Sequence, residues 1–151
     1  GAGAGTQPTL DALPGGAGVR SVADTTGRWP AGFNATEFVR HARLNFVRLQ
    51  EAYDKKDLST MREFLAPDVY REIEADIRAA GAAEERTEVL TLEAEVLDVA
   101  EVAGSYIVSV RFTGMIRESA GREAEPFNEI WHLEKPLSGR SGWMVAGIQQ
   151  A

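Results

Sequence analysis

The hydrophobic period of this chain changes once, at Gly81, and that change limits the fold more than any motif does. From Asn34 to Gly81 apolar residues return every three or four positions. From Val89 to Gln149 they alternate. The first spacing gathers apolar side chains on one face of a helix, the second on one face of a strand. Helices followed by a run of strands predict an α+β domain.

The helical half divides into three. Asn34 opens the first helix, with Glu37 at the capping-box spacing, and the helix is expected to run to about Tyr53. Phe38, Ala42, Phe46, Leu49 and Tyr53 form its buried stripe. Asp57 caps a short second helix carrying Leu58, Met61, Phe64 and Leu65, which Pro67 ends. Asp68 caps a third, with Val69, Tyr70, Ile73 and Ile77 on one face and Gly81 as its stop. The first strand spans Val89 to Val102, with Leu90, Leu92, Ala94 and Val96 on one face. The pattern then slips to Leu97 and Val99, which predicts a bulge and a bend. Gly104-Ser105 turns the chain into a second strand whose inward set is Tyr106, Val108, Val110 and Phe112. Gly121 marks the next turn, Phe127 to Leu133 a third strand, Pro136 to Gly142 a loop, and Trp143 to Gln149 the last strand. The resulting fold class is N-terminal helices packed in a cone formed by a curved four-stranded antiparallel sheet.

Residues 1–32 read differently. They hold eight of the 15 glycines and three of the six prolines, with sparse apolar residues, so they are expected to be a flexible arm or linker before a domain at 33–151. Trp29-Pro30 and Phe33 are expected to pin the end of that arm on the domain. The opening Gly1-Ala2-Gly3-Ala4-Gly5, without methionine, reads as the start of an excised fragment. No apolar run reaches the ~18 residues of a membrane span. The absence of cysteine removes disulfides, thiolate catalysis and thiolate metal sites. A net charge of -7 argues against general nucleic-acid binding.

Phe46, Leu49-Gln50, Ala52-Tyr53-Asp54, Asp57-Leu58, Met61, Phe64-Leu65 and Pro67, followed by Glu129-Ile130-Trp131 and Trp143 to Gln150, resemble the pattern of the Tim44-like domain family over residues 33–151. The resemblance implies a nuclear transport factor two-like fold and a non-enzymatic role at a membrane. Mitochondrial members tether the matrix Hsp70 chaperone to the inner-membrane import channel, and the part matched here docks on cardiolipin-rich membrane and on the channel. The closing Gly-Ile-Gln-Gln run resembles bacterial versions. That implies a protein associated with the bacterial inner membrane through a segment upstream of this fragment.

Charge is unevenly spread. Residues 33–62 carry six bases and four acids, residues 63–151 eight bases and 17 acids. On the first helix Arg40, Arg43 and Arg48 lie opposite the buried stripe, with Leu44 and Val47 among them. A basic face carrying aliphatics suits anionic lipid or an acidic membrane-protein partner; the competing reading is an ordinary solvated face. The cone interior is the second candidate. Phe46, Tyr53, Tyr106, Val108, Val110, Phe112, Trp131 and Leu133 are expected to wall an apolar cavity, against the alternative of a filled core. A small-molecule binder or an isomerase-type enzyme is the rival function. Asp98, Glu129, His132, Tyr106 and Tyr53 are its available groups, and only Glu129 shares strand parity with Trp131 and Leu133. His132 is expected to face out. No catalytic residue, metal site or cofactor is assigned. His41 and His132 have no HExxH spacing, and phosphate loops and nucleophile elbows are absent. A homodimer through sheet-to-sheet contact is a third reading.

Overall fold

The computed structural model describes residues 29–81, 86–119, 121–138 and 142–151. Most of the expected arm, residues 1–28, lies outside them. Its end does not: Trp29 and Phe33 pack against the core as their aromatic bulk predicts.

Helix α1 spans Ala35–Asp54. The Asn34 side chain accepts the Glu37 backbone N–H at 3.0 Å, which is half of a capping box. The other half is not made, because the Glu37 carboxylate turns to Arg40 and His41 instead. Lys56 ends the helix in a left-handed conformation, and Asp57 N–H reaches back to the Ala52 carbonyl. Asp57 caps α2, Leu58–Phe64, as expected. Helix α3 is Pro67–Ala80, two residues earlier than a cap at Asp68 predicts. Proline sits in the first turn, where its missing N–H costs nothing, and Ala66 is the N-cap with no side-chain bond. Gly81 stops it at φ 92°. Between α2 and α3, Leu65 bridges Val145 and the Ala66 N–H donates to the Val145 carbonyl, so the helical joint is tied to the last strand.

Four antiparallel strands follow in sequence order: β1 Glu88–Val102, β2 Ser105–Arg117, β3 Glu125–Pro136 and β4 Met144–Gln150. The first turn is Ala103-Gly104, both at positive φ, with Ser105 already in β2. β3 runs on through Pro136, so the following loop is shorter than expected. The predicted bulge at Leu97 is present. A second, at Leu90, is not foreshadowed by the pattern, and it turns Leu90 out to 40% exposure while Val89 and Leu92 face the core. A third irregularity lies between His132 and Leu133. Three helices thus pack in one face of a curved antiparallel sheet around a single apolar cluster.

Candidate docking surface and end clefts

The outer side of α1 is largely as the helical wheel places it. Arg40, Arg43, Leu44 and Arg48 are exposed, Leu44 at 48%. Val47 is not: it is half-buried against the core, because β1 covers that flank of the helix. Arg40 pairs with Glu37, and its hydrogen bond holds the Glu37 carboxyl below the ordinary range, with its charge adding to the effect. Arg43 and Arg48 have no ion-pair partner among the described residues. This face is also one wall of a groove. Arg40, Arg43, Leu44, Val47, Gln50 and Glu51 stand across from Thr87–Leu92, enclosing about 630 Å³. Leu44 and Leu90, two exposed large aliphatics, face it from opposite sides.

A contact ties the two walls together beside Thr87 at the end of the groove. Asp54 is buried, and its carboxylate accepts the Thr87 backbone N–H at 2.6 Å and the Thr87 hydroxyl at 2.8 Å. An acid in the last turn opposes the helix dipole and therefore needs a specific partner. An acid at this position is visible in the sequence, although Asp54 is not among the site residues expected from it.

The interior is filled at mid-height. Phe46, Val108, Val110, Phe112, Trp131 and Leu133 are all buried in one cluster. The Phe46 ring lies 4.8 Å from Phe112 and 4.9 Å from Trp131, and Phe112 meets Trp131 edge-on at 5.0 Å. These rings close the centre, and open space lies at the two ends. Tyr106 borders one cleft, of about 500 Å³, with Phe33, Phe38, Leu137 and Trp143 as walls and Glu37, His41 and Lys135 also lining it. Tyr53 borders the other, of about 350 Å³, with Leu49, Met61, Ile73, Ile116 and the end of Trp131.

Glu129 lines this second cleft, as its strand parity predicts. Its carboxylate takes the Trp131 indole N–H at 2.9 Å and the Gln150 amide at 3.4 Å. The lining includes no histidine; Tyr53 and Glu118 are the other titratable groups along it. His132 points to the other side of the sheet, as expected, yet is only 1% exposed. Its Nδ1 lies 2.9 Å from the Ser109 hydroxyl and its Nε2 2.7 Å from the Gln149 amide oxygen. With the amide oxygen accepting from Nε2–H, Nδ1 accepts from Ser109. His41 is exposed beside Glu37. Among the described residues no cluster of three His, Asp or Glu side chains is placed to hold a metal, and no helix is long and apolar enough to cross a membrane.

Three helices cupped by a bent four-stranded antiparallel sheet define an α+β domain of the nuclear transport factor two-like kind. Residues 19–150 match the Tim44-like domain, and the chain belongs to that family. The match begins ahead of residue 33, inside the segment read as an arm. No curated protein matches the sequence. Family membership suggests a membrane-associated role in protein translocation.

Proposed function

We propose that this domain is a non-enzymatic adaptor that docks on an anionic membrane surface through the outer side of α1, in the service of protein translocation or membrane-protein assembly. The observation that carries the reading is Leu44, 48% exposed and flanked by Arg43 and Arg48, neither of which has an ion-pair partner among the described residues. Each arginine near an anionic leaflet contributes ~1 kcal/mol. Burying the exposed part of Leu44 adds roughly 1 kcal/mol. The sum, on the order of 3–4 kcal/mol, corresponds to a dissociation constant of millimolar or weaker. Docking of this strength works as one arm of a multivalent attachment, with a membrane-protein partner or an anchor elsewhere in the polypeptide as the other. The bacterial inner membrane is the proposed location, and nucleic acid is not a proposed partner.

Vesicle flotation tests this. Phosphatidylglycerol-rich vesicles should carry the protein, and phosphatidylcholine vesicles should not. The double variant Arg43→Glu, Arg48→Glu is expected to lose more than about tenfold in binding, since two attractive charges become repulsive. A folded double variant that floats like the wild type removes the reading.

A second reading rests on the larger end cleft. Its volume of about 500 Å³ lies within the range of small-molecule sites, and its walls are aromatic with polar groups among them. On that reading the domain holds an apolar ligand there. Catalysis through Glu129 is not part of the proposal.

A further inference from the structure

The smaller end cleft, beside Tyr53, carries charge of one sign. Two carboxylates line it, Glu118 and Glu129, and no lysine, arginine or histidine does. Glu118 is exposed and Glu129 is half-buried. Neither is in an ion pair among the described residues. A third carboxylate, that of buried Asp54, holds Gln50 and Thr87, which are also part of the lining. The whole chain stands at -7, so its overall field adds to the local one.

Glu129 keeps acceptor capacity. Its Oε1 takes the N–H of the buried Trp131 ring at 2.9 Å, which fixes the carboxylate in place. Its Oε2 has only the Gln150 amide, at 3.4 Å and from an exposed side chain, which is a long and easily displaced bond. A carboxylate can accept about four hydrogen bonds, so Glu129 is half used. The remaining wall is apolar, with Met61, Ile73 and Ile116 beside Tyr53 and Trp131. Tyr53 already attracts a cation: the Lys56 ammonium lies 4.9 Å from its ring centroid, although Lys56 does not line the cleft.

We propose that this cleft binds a small primary amine, a protonated ammonium on a short apolar stem. The ammonium takes Glu129 Oε2 in place of the Gln150 amide, and the stem lies among Met61, Ile73 and Ile116. A neutral or anionic amphiphile in the same place would strip water from the Glu129 charge and give it no partner. The volume of about 350 Å³ is at the lower end for small-molecule sites, which favours a short stem. The inference is independent of docking on lipid, because Arg43, Leu44 and Arg48 do not line this cleft. It is also distinct from an apolar ligand in the larger cleft, which lies on the other side of the Phe46, Phe112 and Trp131 rings.

Methyl NMR titration of the full chain at about pH 7 with n-hexylamine, sodium hexanoate and 1-hexanol tests it. An alkylamine is charged there, as a lysine side chain with a pKa of about 10.4 is. Hexylamine is expected to shift the methyls of Met61, Ile73 and Ile116, with a dissociation constant on the order of 1 mM for so small a ligand. Hexanol and hexanoate, of the same length, should bind about tenfold more weakly or less. Glu129→Gln should weaken hexylamine about tenfold or more and leave hexanol as it is. Glu118→Gln, at an exposed position that leaves the fold intact, should cost about two- to threefold. Hexanoate binding as tightly as hexylamine overturns the proposal on the wild-type chain alone. So do shifts centred on the Leu137 methyls of the larger cleft, or a folded Glu129→Gln chain that binds hexylamine as before.

Discussion

At the scale of single residues, the informative positions are those where a strand or helix does something its neighbours do not. Gly114 is one. A Cβ placed there would stand 2.0 Å from the Thr91 carbonyl oxygen, so the β1 backbone lies where a side chain would be. That approach sits beside the bulge at Leu90, where the Thr91 hydroxyl accepts the Met115 N–H at 3.0 Å. Gly114→Ala must push β1 away and is expected to destabilise the domain by roughly 1–3 kcal/mol, read as a lower urea midpoint. None of this was legible beforehand. A glycine inside a strand hints at a bulge or a close approach, but which backbone approaches depends on register. Leu90 was misread for the same reason: spaced two residues from Leu92, it looks inward until the extra residue of the bulge reverses it. Asp54 was legible in principle, as an acid where the helix dipole disfavours one.

At the scale of elements, the helices were the most readable part, because caps and periodic stripes are local. Asn34, Asp57, Pro67 and Gly81 all mark real boundaries. Where the structure differs, as with Ala66 in place of Asp68, the proline's tolerance for the first turn decides. Asp57 also links α2 to pH. Its carboxylate accepts the Thr60 hydroxyl at 2.7 Å and the Thr60 N–H at 3.2 Å, and the hydroxyl bond is the main cause of a pKa held below the ordinary value of 3.8. A carboxyl with a lowered folded pKa stabilises the fold above its unfolded value, and that contribution is lost as pH falls through the folded value. Acid titration followed by circular dichroism should therefore show α2 support failing below about pH 4. Asp57→Asn keeps an acceptor but cannot titrate, so its unfolding curve should be flatter in that window. An unchanged curve would show that the cap does not contribute.

For the whole molecule, the α+β order and the cone followed from one change of period, and the family resemblance agreed with the match over residues 19–150. Of the set expected to wall a cavity, Phe46, Phe112 and Trp131 are buried together while Tyr53 and Tyr106 border the end clefts, and sequence cannot distinguish a lined space from a filled one, since the same rings serve both. Phe46, Phe112 and Trp131 fill the centre, and the accessible space is at the ends. The burial of His132 was equally hidden, because Ser109 and Gln149 reach it only through the pairing of β2, β3 and β4. If the larger cleft holds an apolar ligand, native mass spectrometry of protein purified without detergent should show an adduct. Trp143→Ala, which removes one wall, should abolish it. A bare chain in both preparations would leave that cleft without an occupant.

The ring stack has a mechanical corollary. It plugs the vessel at its waist, so the two cups cannot exchange contents, and nothing can thread from the rim beside Trp143 to the floor beside Glu129. A ligand placed in one cup would therefore be separated from the other by the Phe46, Phe112 and Trp131 rings.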